Sequence, residues 1–240
     1  MANQMNNIKI LGTSHIAKQS VEDVRKAIEE FHPEIVAVEL DSKRYLSLLD
    51  EKKRKKSKFS FAAIPKIGLK GYLFGIIGSY ASKKLGNVVG ATPGDEMLTA
   101  IKEAKKRNLE VALIDQDIEI TLSRFSKALS WKEKWMFLKD IFNSIFRKKK
   151  VLAEYKELGL DLETLDLTQV PSNKFITILT TAMKKKYPNI YRVLVSERNS
   201  FMVRTLVKMR KKYPEKKIIA VVGAGHVEGM EKELLRYEFV

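Results

Sequence analysis

Four short apolar runs decide what this chain can fold into: Ile8 to Leu11, Ile35 to Leu40, Val111 to Ile114 and Ile218 to Val222. Each is dominated by Val, Ile, Leu and Ala and bounded by turn or polar residues, the pattern of a short buried strand. Between the first two, Val21, Val24, Ala27, Ile28 and Phe31 repeat at helical spacing. Ser20, with Asp23 three residues on, marks the expected N-cap, and Pro33 marks the end, because the residue before a proline resists helical angles. Strand, helix and strand within about 33 residues form a βαβ unit, which is normally parallel and right-handed.

The remaining pattern is helical. Glu96 to Arg107 carries Met97, Ala100, Ile101 and Ala104 on one face, after a turn at Thr92-Pro93-Gly94. Ile120 to Leu129, Lys132 to Phe146, Ser172 to Lys185 and Asn189 to Lys212 follow, and a last helix covers Gly229 to Tyr237. The expected fold is α/β. Its mainly parallel central sheet is drawn from both ends of the chain, with a large helical insertion at 118–212. Residues 1–240 read as one domain, with apolar, glycine-rich 58–92 as a lid or interface segment that could also join two copies into a homodimer.

Composition narrows the chemistry. The chain has no Cys, which excludes disulfides, thiolate metal sites and Cys nucleophiles. The start of the chain is polar, so no signal peptide is expected, and the longest apolar run, Gly71 to Ser82, is shorter than the roughly 20 residues that cross a bilayer as a helix. The expected location is the cytoplasm or the periphery of a membrane. Net charge is +16, in blocks at Lys52 to Lys58, Arg147 to Lys150, Lys184 to Lys186 and Arg210 to Lys212. No nucleic-acid motif accompanies them, so no nucleic-acid partner is expected. A solvated basic surface and contact with an anionic membrane face are the two readings left.

In open parallel sheets ligands bind at the carboxyl ends of strands. His15 and His226 each sit three residues after a Gly that closes a strand, and Glu39 and Asp115 lie at the ends of the second and third strands. Each has a plainer alternative: a structural imidazole for either His, an ion pair with Arg44 for Glu39, a helix cap for Asp115 or Asp117. Glu96 stands in the first turn of its helix, where negative charge suits the dipole. Glu197-Arg198-Asn199 cannot all face one site, since neighbours on a helix point about 100° apart. Two neutral imidazoles with a carboxylate would suit Zn²⁺, Mn²⁺ or Co²⁺. A nucleophile elbow, a complete phosphate-binding loop and a zincin HExxH motif are all absent.

Six segments then appear in order: LGTSHIAKQS from Leu11, VAVELDSKR from Val36, TPGDEMLTAI from Thr92, ALIDQDIEITLSR from Ala112, SERNSFM from Ser196 and VVGAGHVEGM from Val221. Together they resemble the TraB/PrgY family, related to the GumN and Tiki proteins, over nearly the whole chain. The resemblance implies a Tiki-like metal-dependent peptidase, with Gly12 to His15 and Gly223 to His226 as its paired Gly-x-x-His elements. Glu39, Glu96, Glu197, Arg198 and Asn199 match further positions of that pattern. PrgY-like members limit peptide pheromone activity, and many microbial relatives continue into membrane-spanning segments. Two positions depart: Gln116 stands where an Arg is expected between the acids at 115 and 117, and Asn199 where close relatives carry Asp.

The leading expectation is therefore a metal-dependent peptide hydrolase. His15, His226 and Glu39 would hold a divalent ion, and Glu39 or Glu96 would serve as base. Arg198 and Asn199 would stabilise the oxyanion, and Arg44, Asp115 and Glu197 would contact a peptide substrate. Two alternatives compete with it: a non-catalytic module that sequesters a peptide, and a scaffold bound to anionic lipid.

Overall fold

A computed structural model describes residues 7–13, 18–50, 94–133, 135–136, 139–140 and 173–237. His15, the 58–92 segment and the basic blocks at 52–58 and 147–150 lie outside the described residues. Strands β1 (Ile8–Thr13), β2 (Ile35–Val38), β3 (Glu110–Leu113) and β4 (Ile218–Gly223) form one parallel sheet in the order β1-β4-β2-β3. The sheet is thus drawn from both ends of the chain. The last strand lies between the first two: Ile218 pairs with Ile8 on one side and with Ile35 on the other. β2 and β4 are buried along their whole length, which is why neither carries a polar residue: helices cover both faces of a parallel sheet.

The helices are α1 (Lys18–Phe31), α2 (Ser42–Leu49), α3 (Asp95–Lys106), α4 (Ile118–Ala128), α5 (Asn173–Lys186), α6 (Pro188–Tyr191), α7 (Glu197–Lys212) and α8 (Ala224–Arg236). A five-residue π turn, Arg192–Ser196, joins α6 to α7, and residues 131–133, 135–136 and 139–140 are helical too. Strand side chains alternate between faces. Val36, Val38, Ile219 and Val221 pack with Val24, Ala27 and Ile28 of α1 and Met97, Ala100 and Ile101 of α3. Ile35, Ala37, Ile218, Ala220 and Val222 pack with Met202, Leu206 and Val207 of α7 and Met230 and Leu234 of α8. Burying one such side chain is worth about 1.5–3 kcal/mol. Gly12 is a contact glycine: a Cβ there would stand 2.7 Å from Val227 Cγ2 and 3.2 Å from the Ala224 backbone. Its bareness lets β1 press against the first turn of α8.

Several boundaries differ from the sequence reading. α1 begins at Lys18, so Ser20 is a buried residue inside the helix and not its N-cap. α8 starts directly after β4 and not at Gly229, which puts His226 in its first turn. The single helix expected over 189–212 is interrupted by the π turn. α2 was unforeseen, although Asp41 caps it by accepting from the N–H groups of Lys43 and Arg44 at 2.8 and 2.9 Å.

The approach to the π turn is fastened by a capping box. Ser130 N–H and Oγ donate to Glu133 Oε2, and Glu133 N–H donates to Ser130 Oγ at 3.1 Å. The same carboxylate accepts from Asn189 N–H and Nδ2, both at 2.8 Å, and so serves the start of α6. Burial pushes the Glu133 carboxyl up, but the bonds from Asn189 and Ser130 outweigh it and hold the group below its ordinary value. A carboxyl depressed in the folded state adds stability above its unfolded value, and that stability is lost as pH falls through the folded value. Glu133→Gln is expected to lower urea stability by about 1–3 kcal/mol at neutral pH. The gap should hold down to the ordinary carboxylate value of about 4.3 and narrow below it. A gap that stays the same through acid pH would contradict this role.

Candidate functional site

The carboxyl ends of the strands converge on one charged cluster. Glu39 follows β2 and continues the alternation of Ile35 and Ala37, so it faces α7 and α8. Its backbone N–H donates to Val221 O at 3.1 Å, and its Oε2 accepts from Gly223 N–H at 2.7 Å. This fixes the carboxylate at the N-terminus of α8, where the helix dipole favours negative charge. Asp115 follows β3, and its N–H donates to Leu40 O at 3.3 Å.

Arg198, in the first turn of α7, binds both acids. Nη2 donates to Glu39 Oε1 and, at 2.6 Å, to Asp115 Oδ2; Nε donates to Asp115 Oδ1 at 3.2 Å. Nη1 reaches the Leu194 carbonyl at 3.3 Å and His226 Nε2 at 3.2 Å. Burial works against the guanidinium charge, but Glu39 and Asp115 outweigh it and raise the Arg198 pKa above its ordinary value. The group therefore remains a cation. The π turn helps to aim it. In a regular α-helix Val193 and Arg198 would stand about 140° apart; an i→i+5 turn brings them toward one face. Val193 is buried, and Glu197 N–H bonds Arg192 O in that turn.

His226 is 7% exposed and reaches the cluster from α8. Its Nδ1 stands 2.6 Å from Asn199 Oδ1. With Nδ1 carrying the hydrogen, the ring's lone pair lies on Nε2, which faces Arg198 Nη1 and stands 3.4 Å from Glu39 Oε1. Asn199 is buried against Gly229, where a Cβ would come within 2.2 Å of Nδ2. On the outer side Arg44 donates to Asp41 Oδ2 at 2.7 Å and also to Asp115 Oδ2. Three carboxylates, Glu39, Asp41 and Asp115, thus face two guanidinium groups, leaving one negative charge when His226 is neutral.

The expected residues sort clearly. Glu39, Asp115, Arg198, Asn199, His226 and Arg44 come together. Glu39 pairs with Arg198, not with Arg44, and Asp115 is no helix cap; Asp117 takes that role on α4, accepting from Glu119 N–H at 2.7 Å. Arg44 and Arg198 both supply the cation that Gln116 does not, while Gln116 bonds Thr121 at 2.8 Å. Glu197 turns away to Arg124 at 3.1 Å. Glu96 is buried in the first turn of α3, the helix that packs on the opposite face of the sheet from α7 and α8. Asp41 was missed. Its signal was an acid directly before Ser42, three residues ahead of Arg44.

The donors permit a test of fit for a divalent ion. Two ligand atoms about 2 Å from a tetrahedral ion stand roughly 3.3 Å apart, close to the 3.4 Å between His226 Nε2 and Glu39 Oε1. Asn199 on Nδ1 is the kind of support that orients metal-binding imidazoles. Against this, Arg198 Nη1 faces the same Nε2 lone pair, and among the described residues no three His, Asp or Glu are grouped to hold an ion. The pair fits as two ligands; a third would come from outside the described residues.

The family model for TraB/PrgY/gumN matches residues 2–237. An uncharacterised protein of Methanocaldococcus jannaschii is 38% identical over 235 residues, covering 97% of this chain and 54% of the relative. TraB domain-containing proteins of Mus musculus and Homo sapiens are each 26% identical over 254 residues, covering 97% of this chain and 64% of each relative. The chain therefore spans between about half and two thirds of the curated relatives it matches.

Gly229→Ala is the local probe of this geometry. The new methyl must displace the Asn199 amide, the end of a side chain, so the bond to His226 is broken while the fold survives. The expected cost is about 1–3 kcal/mol in thermal or urea unfolding, together with a changed imidazole nitrogen spectrum for His226 in NMR. An unchanged spectrum would contradict the contact.

Proposed function

The chain belongs to the TraB/PrgY/gumN family, and from that premise we propose that it is a hydrolase of peptide bonds, with signalling peptides as its substrate class. One observation carries the reading: a proton acceptor, a carboxylate and a fixed cation meet at the strand ends, where Asn199 leaves His226 Nε2 as the acceptor beside Glu39 and Arg198. His226 Nε2 or Glu39 Oε1 takes the proton from an attacking water. Arg198, held charged by its two acids, places its positive charge beside the oxyanion that develops on the substrate carbonyl. Asn199 acts through His226 by fixing its ring, and Arg44 with Asp115 forms the outer wall that a peptide would touch.

His226 and Glu39, joined by His15, are the residues that would hold Mn²⁺, Co²⁺ or Zn²⁺, and the single excess negative charge of the cluster favours such an ion. When bound, it would lower the pKa of water and polarise the carbonyl. The second reading is a peptide-sequestering module without turnover. It is favoured by the saturation of Glu39 and Asp115 by Arg198 and Arg44, which holds the same groups in a static network.

The two separate in one experiment. The purified chain is incubated with a defined peptide pool and each ion in turn, and products are read by mass spectrometry. Cleavage is expected, falling about 100-fold or more in His226→Ala, with circular dichroism confirming the fold. Peptides that are retained but intact under every ion would support sequestration. Cleavage that survives His226→Ala unchanged would overturn the assignment of the site.

A further inference from the structure

The chain has two tryptophans, Trp131 and Trp135, and both are exposed, at 73% and 70%. They stand one helical turn apart in the segment that follows the Ser130 cap. At about 100° per residue, Trp131, Trp135, Lys139 and Lys132 fall within an arc of about 100°. Glu133 lies on the opposite side, buried and fully engaged by Ser130 and Asn189. The other acid of the segment, Asp140, is taken up by Lys186 at 2.5 Å and by Tyr187. The face thus presents indoles and ammonium groups, with both acids of the described segment already engaged. Exposed Lys127 adds to the positive field at one end, and exposed Lys184 and Lys185 precede the Lys186 that pairs with Asp140.

We propose that this helix face is a docking surface for an anionic lipid bilayer. Tryptophan settles at headgroup depth, where its ring is apolar and its N–H is wet. Lysines beside it keep their ammonium groups among lipid phosphates while their stems lie on the apolar boundary. The complement is negative, because the face and the whole chain, at +16, are positive. Among the described residues no helix is long and apolar enough to cross a membrane; a helix face of indoles and lysines lies along the bilayer surface. It does not depend on the hydrolytic reading, since the cluster at Glu39 and Arg198 shares no residue with it.

Because the face holds both tryptophans of the chain, tryptophan emission, excited selectively over tyrosine, reports on it alone. The full chain is titrated with vesicles of phosphatidylglycerol and phosphatidylcholine, and with pure phosphatidylcholine. The emission is expected at the long wavelength of wet indoles without lipid. It should move to shorter wavelength with anionic vesicles only, be quenched by lipids brominated near the headgroup end of the chains, and return in high salt. Lys132→Gln/Lys139→Gln keeps both indoles and is expected to bind anionic vesicles about 30-fold more weakly. Trp131→Ser/Trp135→Ser should lose co-sedimentation at an unchanged melting temperature. Emission already at short wavelength in the free protein would mean that the chain or a second copy covers the face. Emission unmoved by anionic vesicles would leave it to a protein partner. Either result overturns the proposal, as does an equal shift with neutral vesicles.

Discussion

One guanidinium, that of Arg198, ties the second and third strands of the sheet to the helix that packs beside them. It bonds Glu39 beyond β2 and Asp115 beyond β3. Glu39 in turn accepts from Gly223 at the end of β4, which pairs with Thr13 of β1. The carboxyl ends of β2, β3 and β4 are thereby joined through a single chain of charge-assisted bonds, and β1 follows through its pairing with β4. Such a chain is costly to assemble in a poorly hydrated place, and removing one member leaves a buried charge unpaired. The structure meets that cost with Gly223 N–H, Arg44 and the start of α8, all directed at the acids.

The same network sets what the site can do. Arg198 is a permanent cation, so any proton that moves must move on His226 or a carboxylate. Asn199 leaves the acceptor nitrogen of His226 on the side that faces Glu39. The spacing of His226 Nε2 and Glu39 Oε1 suits two ligands of one small ion, yet Arg198 lies against the same lone pair. The proton acceptor and the candidate ion ligand are therefore one atom, His226 Nε2, and Arg198 Nη1 stands against it at 3.2 Å.

Much of the framework was legible because it depends on burial. β2 and β4 are apolar throughout, as strands covered on both faces must be, and the Gly at the end of β4 marked where that strand stops, although the helix that carries His226 starts there and not at Gly229. The meeting of Glu39, Asp115 and His226 followed from their places at strand ends. What stayed hidden depends on contacts that leave no period in the sequence. The π turn between α6 and α7 left no mark that the sequence reading caught, so it could be read that Glu197, Arg198 and Asn199 do not all face one site, but not which of them faces the strand ends. Gln116 suggested that Asp115 lacked a cation, whereas two arginines arrive from distant segments. Gly12 looked like a turn residue and proves to be the point where β1 meets α8.

The most direct test of this account is a double-mutant cycle in urea unfolding between Glu39→Gln and Arg198→Gln. If the two side chains act as one unit, each single change should cost about 3–5 kcal/mol. The double variant should then cost well under the sum, with a coupling energy above about 1 kcal/mol. Strictly additive costs would show that Glu39 and Arg198 do not depend on each other and would contradict the account.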